Sequence, residues 1–383
     1  MTGITNMKPH ITIVIKPTLF CNTTCRHCYH TPDERVPGNI SLERVEKLIK
    51  LASQEYQTAW FIWHGGEPLT LPMSFYKEVI GLEEKYFGKD SMRYGNTINT
   101  NGTLLNRRLM AYCREKKINI GVSYEGPCNN ILRAEDVEKT LGKLSDKENM
   151  YSVTSTISKE AASRQREIYQ YFRSKDIALT LSPVIGSGCG KDYVPDTEEF
   201  IKGSIEAFDE WLYDNKARTP LMPFLQYIQH YLGEPVPSDC AHTSCLTKWI
   251  CMYPDGSLYP CAKACPKEFC LGNIDDIGSI ADAFQSEGFR NILIGSIKRR
   301  EKCASCEIFD YCNGGCSVDA CYENGIENSG GASCVAYKAI FSHISSEIQK
   351  ILDEKPDMDC YNPFVKEAVI SKLINPKTIS SKE

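Results

Sequence analysis

The sequence contains no long uninterrupted apolar run. A membrane-spanning helix needs about 20 consecutive apolar residues, and no segment approaches that length. The first apolar run, residues 11–15, ends at Lys16 and Pro17 and is shorter than the core of a secretory signal peptide. We therefore predict a cytoplasmic protein without a membrane partner.

The sequence also lacks a block of like charge. Its formal net charge is −5, from 44 basic and 49 acidic residues, and neither sign is gathered in a tail. Nucleic acids and anionic membrane surfaces are usually bound by concentrated basic residues, so we expect neither as a partner. The 383 residues, 42% of them hydrophobic, are typical of two or three globular domains.

Cysteine is the residue type in excess. The chain has 19 cysteines, an odd number, and no recognisable export signal. Because the cytosol keeps thiols reduced, a disulfide framework is not expected. Clustered cysteines in such proteins hold metal or take part in redox chemistry, and metal sites are the prediction here.

The first half of the chain alternates short apolar runs with amphipathic stretches. The predicted strands are residues 11–15, 59–63, 94–98, 118–123, 151–157 and 177–181. Predicted helices lie between them, and Ser41 is a predicted cap of the first. This alternation predicts an α/β fold with a parallel sheet. Six such units are too few for a closed eight-unit barrel, so we expect a partial (β/α)6 barrel.

The second half of the chain has a different residue pattern. Residues 197–232 are predicted to be helical, and the stretch from Cys240 to Cys334 has many cysteines and turns but little periodicity. Such a segment builds little apolar core and is expected to fold around metal. We predict four regions: a barrel (1–190), a helical linker (191–239), a cysteine-rich domain (240–340) and a C-terminal helix with a tail (341–383).

Three cysteines directly after the first predicted strand share the spacing C-x3-C-x2-C: Cys21, Cys25 and Cys28. In parallel α/β folds, sites are built at the C-terminal ends of strands. Three thiolates on one loop can bind three irons of a [4Fe–4S] cluster and leave the fourth iron open. The alternative is structural zinc, with His27 or His30 as the fourth ligand.

The triplet resembles the radical S-adenosylmethionine (SAM) superfamily, and later segments agree with this. Gly65-Gly66-Glu67-Pro68, after the second strand, is similar to the family's GGEP motif, and residues 99–105 are similar to its TNGTLL stretch. Two glycines let the backbone approach a ligand closely, and Glu67 can accept a hydrogen bond from an ammonium group. The resemblance implies that SAM is cleaved to a 5′-deoxyadenosyl radical. The SAM contacts that it implies are Tyr29, Gly65, Gly66, Glu67, Asn101, Ser123 and Arg133.

Arg133 and Glu125 leave alternatives open. Arg133 is also compatible with an ordinary surface arginine. Related enzymes often have Ser-x-Asp-Gly after the fourth strand, whereas this chain has Ser123, Tyr124, Glu125 and Gly126. The role of the longer carboxylate of Glu125 is open.

The cysteines of the second half resemble a complete SPASM domain, an appendage of radical SAM enzymes that modify peptides and proteins. Their spacing is C-x2-C-x5-C-x3-C from residue 303 onwards, with further cysteines on both sides. The resemblance implies two auxiliary [4Fe–4S] clusters, and therefore three clusters in total; two structural zinc sites are the alternative. The implied ligands of the first are Cys245, Cys251, Cys261 and Cys316. Those of the second are Cys303, Cys306, Cys312 and Cys334.

The resemblance further implies a reaction on a peptide or protein segment, with an external electron donor of the flavodoxin or ferredoxin type. The sequence is most similar to anaerobic sulfatase-maturing enzymes. Those carry an aspartate base directly after the third cysteine of the first auxiliary set, where this chain has Ala262 and Lys263. A Ser or Cys side chain would then lack its usual proton acceptor.

We therefore expect a maturase that forms thioether, C–C or C–O cross-links in a ribosomally made peptide, with formylglycine formation as the alternative. A small-molecule radical SAM dehydrogenase and a non-catalytic metal-binding protein are further alternatives. The eight auxiliary cysteines argue against the dehydrogenase, and the Gly-Gly-Glu-Pro motif argues against the binding protein. The candidate catalytic residues are His64, Glu125, Tyr259 and Lys263.

Overall fold

A nine-stranded sheet forms the centre of the protein. The computed structural model describes residues 7–89, 92–133, 137–144, 151–234 and 245–374. Cys240 and the polar C-terminal tail beyond residue 374 lie outside the described residues. The order of the strands in the sheet is β7-β6-β5-β4-β3-β2-β1-β8-β9.

The first six strands confirm the six sequence predictions, with β1 and β2 longer than expected. They are β1 (Lys8–Thr18), β2 (Tyr56–Gly65), β3 (Tyr94–Thr100), β4 (Ile118–Ser123), β5 (Tyr151–Ile157) and β6 (Ala178–Pro183). Three short strands were not predicted: β7 (Leu221–Met222), β8 (Trp249–Met252) and β9 (Leu258–Tyr259). Neighbouring strands are parallel except for β8 and β9, as a partial α/β barrel requires.

Helices cover the sheet along its length. In the first half they are α1 (Leu42–Glu55), α2 (Met73–Phe87), α3 (Arg107–Glu115), α4 (Asn129–Leu132), α5 (Val137–Leu144) and α6 (Gln165–Arg173). The next are α7 (Thr197–Leu212), α8 (Phe224–Tyr231), α9 (Ile280–Ala283) and α10 (Glu287–Cys303). The last are α11 (Phe309–Cys312), α12 (Ser317–Glu323), α13 (Ala332–Glu354) and α14 (Pro363–Ile374).

Helix α1 forms where the sequence predicts it. The Ser41 side chain accepts a hydrogen bond from the Arg44 N–H, which satisfies one of the free donors of the first turn. Val45, Leu48 and Ile49 are fully buried because their spacing of three and four residues puts them on one face.

The prediction of one helical stretch over residues 197–232 was wrong. Helix α7 ends at Leu212, the short edge strand β7 follows, and α8 begins only at Phe224. Pro220 and Pro223 lie in the interruption, and proline supplies no backbone N–H for a helix. The Pro220 carbonyl instead accepts a hydrogen bond from the Leu179 N–H of β6.

The expectation that the stretch from Cys240 to Cys334 builds little apolar core was also wrong for its described residues, 245–334. Strand β8 extends the main sheet by pairing with β1, with Val14 opposite Cys251 and Ile15 opposite Met252. Cys251 and Met252 are fully buried, and α10 is 17 residues long. The cysteine-rich region therefore shares the core of the barrel.

Candidate active site

Cys21, Cys25 and Cys28 lie on the loop after β1 (the triplet loop), as predicted. The Thr23 hydroxyl is 3.2 Å from the Cys21 sulfur and 3.6 Å from the Cys25 sulfur, and the Cys28 N–H donates to the Cys25 carbonyl. All three thiols are half-buried. Burial raises the pKa of Cys25 and Cys28, and the Cys21 sulfur raises both further. The thiols therefore lie within electrostatic range of one another, which suits ligands of one cluster.

The Gly-Gly-Glu-Pro segment packs directly under this loop. The Gly66 N–H donates to the Thr18 carbonyl over 2.9 Å, and the Glu67 N–H donates to the Phe20 carbonyl over 2.8 Å. A Cβ atom at position 66 would lie 2.1 Å from the Phe20 carbonyl oxygen. The sequence predicts that the backbone of these glycines approaches a ligand closely. In this structure, the Gly66 backbone approaches the triplet loop closely. Their contact with SAM stays a prediction.

Glu67 joins the ends of β2 and β3. Its carboxylate is fully buried and accepts hydrogen bonds from the Thr100 hydroxyl, the Asn101 N–H and the Leu69 N–H at 2.8–2.9 Å. Burial raises its pKa, whereas these hydrogen bonds lower it. The side chain of Asn101 continues the connection, because its amide donates to Asn22 Oδ1 over 3.0 Å. Both predicted residues are thus anchored at the triplet loop.

Arg133 and Glu125 form a buried ion pair at the end of β4. The Arg133 Nε and Nη2 atoms each lie 2.8 Å from a Glu125 oxygen, and Nη1 lies 3.0 Å from the Cys25 sulfur. Glu125 is fully buried and Arg133 is 8% exposed, so the reading of Arg133 as a surface residue was wrong. Because both oxygens of Glu125 are engaged, the geometry disfavours it as a catalytic base. Ser123, half-buried, ends β4 close by.

The side chains of Tyr29 and His64 contact each other. The Tyr29 hydroxyl is 3.2 Å from His64 Nδ1, and the Gly65 N–H donates to the same nitrogen. Burial, followed by the charge of Lys16, lowers the pKa of His64 to about 4. A neutral His64 can accept a proton only weakly at neutral pH.

Sequence reasoning missed Lys16, a buried lysine next to Tyr29. Lys16 is fully buried, and its ammonium is 2.8 Å from the Tyr253 hydroxyl and 3.4 Å from His30 Nε2. It also lies over the rings of Tyr29 and Tyr253, at 5.0 and 4.2 Å from their centroids. A lysine is almost never fully buried without partners. The signal in the sequence was its place at the end of an apolar strand.

In the first predicted auxiliary set, Cys261 lies within electrostatic range of both Cys251 and Cys316. Cys251 and Cys261 affect each other's environment electrostatically, as do Cys261 and Cys316, and burial raises the pKa of Cys251 and Cys316 to about 12. A thiol with so high a pKa is a thiolate only next to a strong cation, which iron would supply. Cys245 is half-buried at the start of the turn that leads into β8. Its place in the set stays a prediction.

Two candidate catalytic residues adjoin this set. The Tyr259 ring lies 4.9 Å from the Tyr253 ring, and burial raises its pKa to about 12. The Lys263 ammonium forms an ion pair with Asp319 and lies 3.7 Å from the Cys316 sulfur. Lys263 is therefore engaged by Asp319 beside Cys316, whereas Tyr259 contacts Tyr253, the hydrogen-bond partner of Lys16.

The four cysteines of the second predicted auxiliary set line one cavity of about 810 Å³. Burial raises the pKa of Cys312 to about 11, and the other three sulfurs, at 303, 306 and 334, contribute to its surroundings. The cavity also reaches the end of β6 and the start of α7. Four thiols that line one open space fit a cluster better than a closed apolar core.

Within the described ranges, no three His, Cys, Asp or Glu side chains converge at the spacing of a single metal ion. In the same part of the chain, no helix has both the length and the apolar character needed to cross a membrane.

Comparison with known families matches both halves of the chain. The radical SAM superfamily matches residues 15–147, the segment that contains the triplet and the Gly-Gly-Glu-Pro motif. The SPASM family, described as an iron–sulfur cluster-binding domain, matches residues 240–307.

Whole-length relatives agree with these domains. The chain is 25% identical to a cysteine-type anaerobic sulfatase-maturating enzyme of Clostridium perfringens, over 88% of this chain and 96% of that one. Native anSMEcpe with bound AdoMet and the Kp18Cys peptide has a TM-score of 0.79 at 23% identity, covering 90% of this chain and 100% of that one. Streptococcus suis SuiB bound to its precursor peptide SuiA has a TM-score of 0.63 at 15% identity, covering 85% and 76%.

The domains, the relatives and the shared fold agree with the triplet at the end of β1 and the cysteine-rich second half. The chain is a radical SAM enzyme that carries a SPASM domain.

Proposed function

We propose that this enzyme oxidises a ribosomally made peptide, forming thioether, C–C or C–O cross-links. One observation carries the proposal: β1 leads into the triplet loop and also pairs in register with β8, which contains Cys251. The loop proposed for SAM cleavage therefore follows a strand whose neighbour carries Cys251, one of the cysteines proposed to hold the cluster that takes an electron from the substrate. A substrate between them can reach both.

We further propose three [4Fe–4S] clusters, held by the triplet and by the two auxiliary sets of four cysteines. When bound, the clusters and SAM supply a radical that abstracts a hydrogen atom and an exit for the electron that the substrate then loses. The fit is supported by the electrostatic range of Cys21 to Cys25 and Cys28 and of Cys261 to Cys251 and Cys316. For the second set, all four cysteines line one cavity, and the other three lie within electrostatic range of Cys312.

The proposed SAM contacts lie at the ends of the first four strands. They are Tyr29, Gly65, Gly66, Glu67, Asn101, Ser123 and Arg133. Arg133 is suited to bind a carboxylate, because a guanidinium presents a planar fork of donors and its Nη1 atom already faces the triplet loop. Glu67 and Asn101 would hold the surrounding loops in place through the hydrogen bonds described above.

A peptide substrate is supported by the relatives and by the shape of the site. Solved structures of the same fold hold a peptide in anSMEcpe and a precursor peptide in SuiB. The cavity of about 810 Å³ is within the range of pockets that enclose sizeable ligands, about 300–1,000 Å³. It extends from the barrel end to the second auxiliary set, which leaves room beside a cluster for part of a chain.

Sulfatase maturation is the second candidate, and the identity to sulfatase-maturating enzymes favours it. The residue that follows Cys261 argues against it, because Ala262 has no group that accepts a proton. Lys263 does not replace an aspartate, since its ammonium is committed to Asp319.

Removal of the triplet tests the radical chemistry. Anaerobically reconstituted wild-type enzyme is expected to bind about twelve irons per chain and the Cys21/Cys25/Cys28→Ala variant about eight. Only the wild type is expected to convert SAM to 5′-deoxyadenosine, measured by chromatography after addition of a reductant. Zinc in place of iron, or no SAM cleavage by fully loaded wild type, would contradict the proposal.

A base at position 262 tests the choice between the two substrates. With a peptide that carries the Cys-type or Ser-type sulfatase sequence, the unaltered enzyme is expected to cleave SAM but to yield no formylglycine by mass spectrometry. Ala262→Asp is expected to yield at least tenfold more than the isosteric Ala262→Asn, since general-base catalysis typically contributes about 10²–10⁴-fold. Efficient formylglycine formation by the unaltered enzyme would favour sulfatase maturation instead.

The remaining proposals concern the cellular context. We propose a cytoplasmic location, where the free thiols stay reduced, and an external electron donor of the flavodoxin or ferredoxin type. The proposed division is a barrel over residues 1–190, a linker over 191–239, a SPASM domain over 240–340 and a C-terminal region over 341–383. The pairing of β8 with β1 means that the barrel and the SPASM domain would not unfold independently.

A further inference from the structure

Lys16 occupies the junction between the two halves of the enzyme. It lies near the C-terminal end of β1, fully buried, five residues before the first cysteine of the triplet. Its hydrogen-bond partners come from both sides: His30 belongs to the triplet loop, and Tyr253 follows β8.

Lys16 contacts groups that attract a cation, although burial lowers its pKa. The Tyr253 hydroxyl accepts its hydrogen bond, and the faces of Tyr29 and Tyr253 lie beneath it, an arrangement that attracts cations. Burial lowers the pKa of Lys16, but the sulfurs of Cys251, Cys265 and Cys261 raise it. The ammonium thus lies within electrostatic range of two cysteines proposed to hold the first auxiliary cluster.

We propose that Lys16 is a positioning residue for electron transfer, whose buried charge stabilises the reduced form of the first auxiliary cluster. The inference rests on the proposed function, which assigns that cluster to Cys245, Cys251, Cys261 and Cys316. Reduction of the cluster would add one negative charge to a site where Lys16 and Cys251 are fully buried. A fixed positive charge nearby favours that state, because Coulomb interactions are stronger at low dielectric and local charge tunes the potential of iron–sulfur clusters.

The electron balance of the step is simple. After a hydrogen atom is abstracted from a C–H bond, the carbon radical bonds to a sulfur, carbon or oxygen atom of the peptide, whose own bond to hydrogen breaks and releases a proton to water. The one electron left over would go to the first auxiliary cluster, if bound, and from there to an external carrier of the flavodoxin or ferredoxin class. Without the charge of Lys16, the cluster would be a weaker acceptor, and the product would form more slowly although SAM is still cleaved.

The test is a redox titration monitored by electron paramagnetic resonance. It uses the full chain with the Cys21/Cys25/Cys28→Ala background, so that only auxiliary clusters contribute to the signal. Lys16→Met keeps the length of the side chain and removes its charge. We expect the equilibrium constant for reduction of one auxiliary cluster to fall at least tenfold, equivalent to 59 mV for a one-electron couple, while the other cluster is unchanged.

Two control variants isolate the charge. Lys16→Arg keeps the positive charge, and the potential of the cluster is expected to stay close to that of the protein with Lys16. Lys8→Met removes a lysine at the opposite end of the same strand, where the side chain is 48% exposed, and is expected to leave both potentials unchanged.

Iron content separates the possible failures. About eight irons in the background protein with both potentials unchanged in Lys16→Met would overturn the role of Lys16 alone. Fewer irons in the background protein would overturn the cluster assignment and this inference with it. If Lys16→Met and Lys16→Gln both lose iron, Lys16 is structural, and the inference is wrong.

Discussion

A Gly66→Ala enzyme is expected to lose about four irons of about twelve and all detectable SAM cleavage, while its auxiliary clusters remain. The reason is steric. The added Cβ would lie 2.1 Å from the Phe20 carbonyl oxygen and 2.5 Å from that of Leu19, and both belong to the backbone of the triplet loop. The loop must move or the Gly66 and Glu67 N–H groups must give up their hydrogen bonds to it. Either change displaces Cys21.

The measurement is iron content together with 5′-deoxyadenosine formation under anaerobic conditions. Gly81→Ala is the matched control, because a Cβ at that position in α2 meets no atom within 4 Å. It is expected to keep every iron and to gain up to about 1 kcal/mol of stability, since alanine favours a helix over glycine. Wild-type iron content and activity in Gly66→Ala would show that the triplet loop does not depend on this contact.

The part of the site that the sequence predicts is the part encoded locally. The triplet, the Gly-Gly-Glu-Pro segment and the Thr-Asn-Gly stretch each follow one of the short apolar runs that predict strands. Because parallel strands end at the same edge of a sheet, finding the strands is enough to bring these segments together. The structure confirms the six strands and brings the segments into contact through Glu67 and Asn101.

The part that the sequence does not predict depends on pairing between distant segments. β8 is four residues long, too short to show a period, and its position beside β1 follows only from the folded core. The role of Lys16 depends on Tyr253, which lies 237 residues away. The physical reason for Gly66 was also missed, because it concerns the neighbouring loop and not only a ligand.

Arg133 illustrates the same limit, and its partnership with Glu125 leads to the second large expected effect. Arg133→Met and Glu125→Leu, each made alone, are expected to lower the free energy of unfolding by about 3–5 kcal/mol, because each breaks a buried ion pair by removing one of its two charges. The double variant is expected to recover most of that loss, since an apolar pair of similar volume can replace a buried ion pair. The midpoint of anaerobic urea unfolding measures the difference.

The exposed pair Arg164–Glu167 is the matched control. It has the same bidentate geometry, with both bonds at 2.7 Å, but its side chains are 34% and 50% exposed. Arg164→Met is therefore expected to cost less than about 1 kcal/mol.

In the double variant at positions 125 and 133, the free energy of unfolding is expected to recover but the rate of SAM cleavage is not. The folded double variant is expected to keep its auxiliary irons yet cleave SAM at least a hundredfold more slowly than wild type, because it lacks the guanidinium that faces Cys25 at 3.0 Å and is proposed to bind the SAM carboxylate. A charged hydrogen bond left unmade is worth about 1.5–3 kcal/mol, and Arg133 would make more than one. Recovery of SAM cleavage along with stability would instead mean that Arg133 serves only to neutralise Glu125.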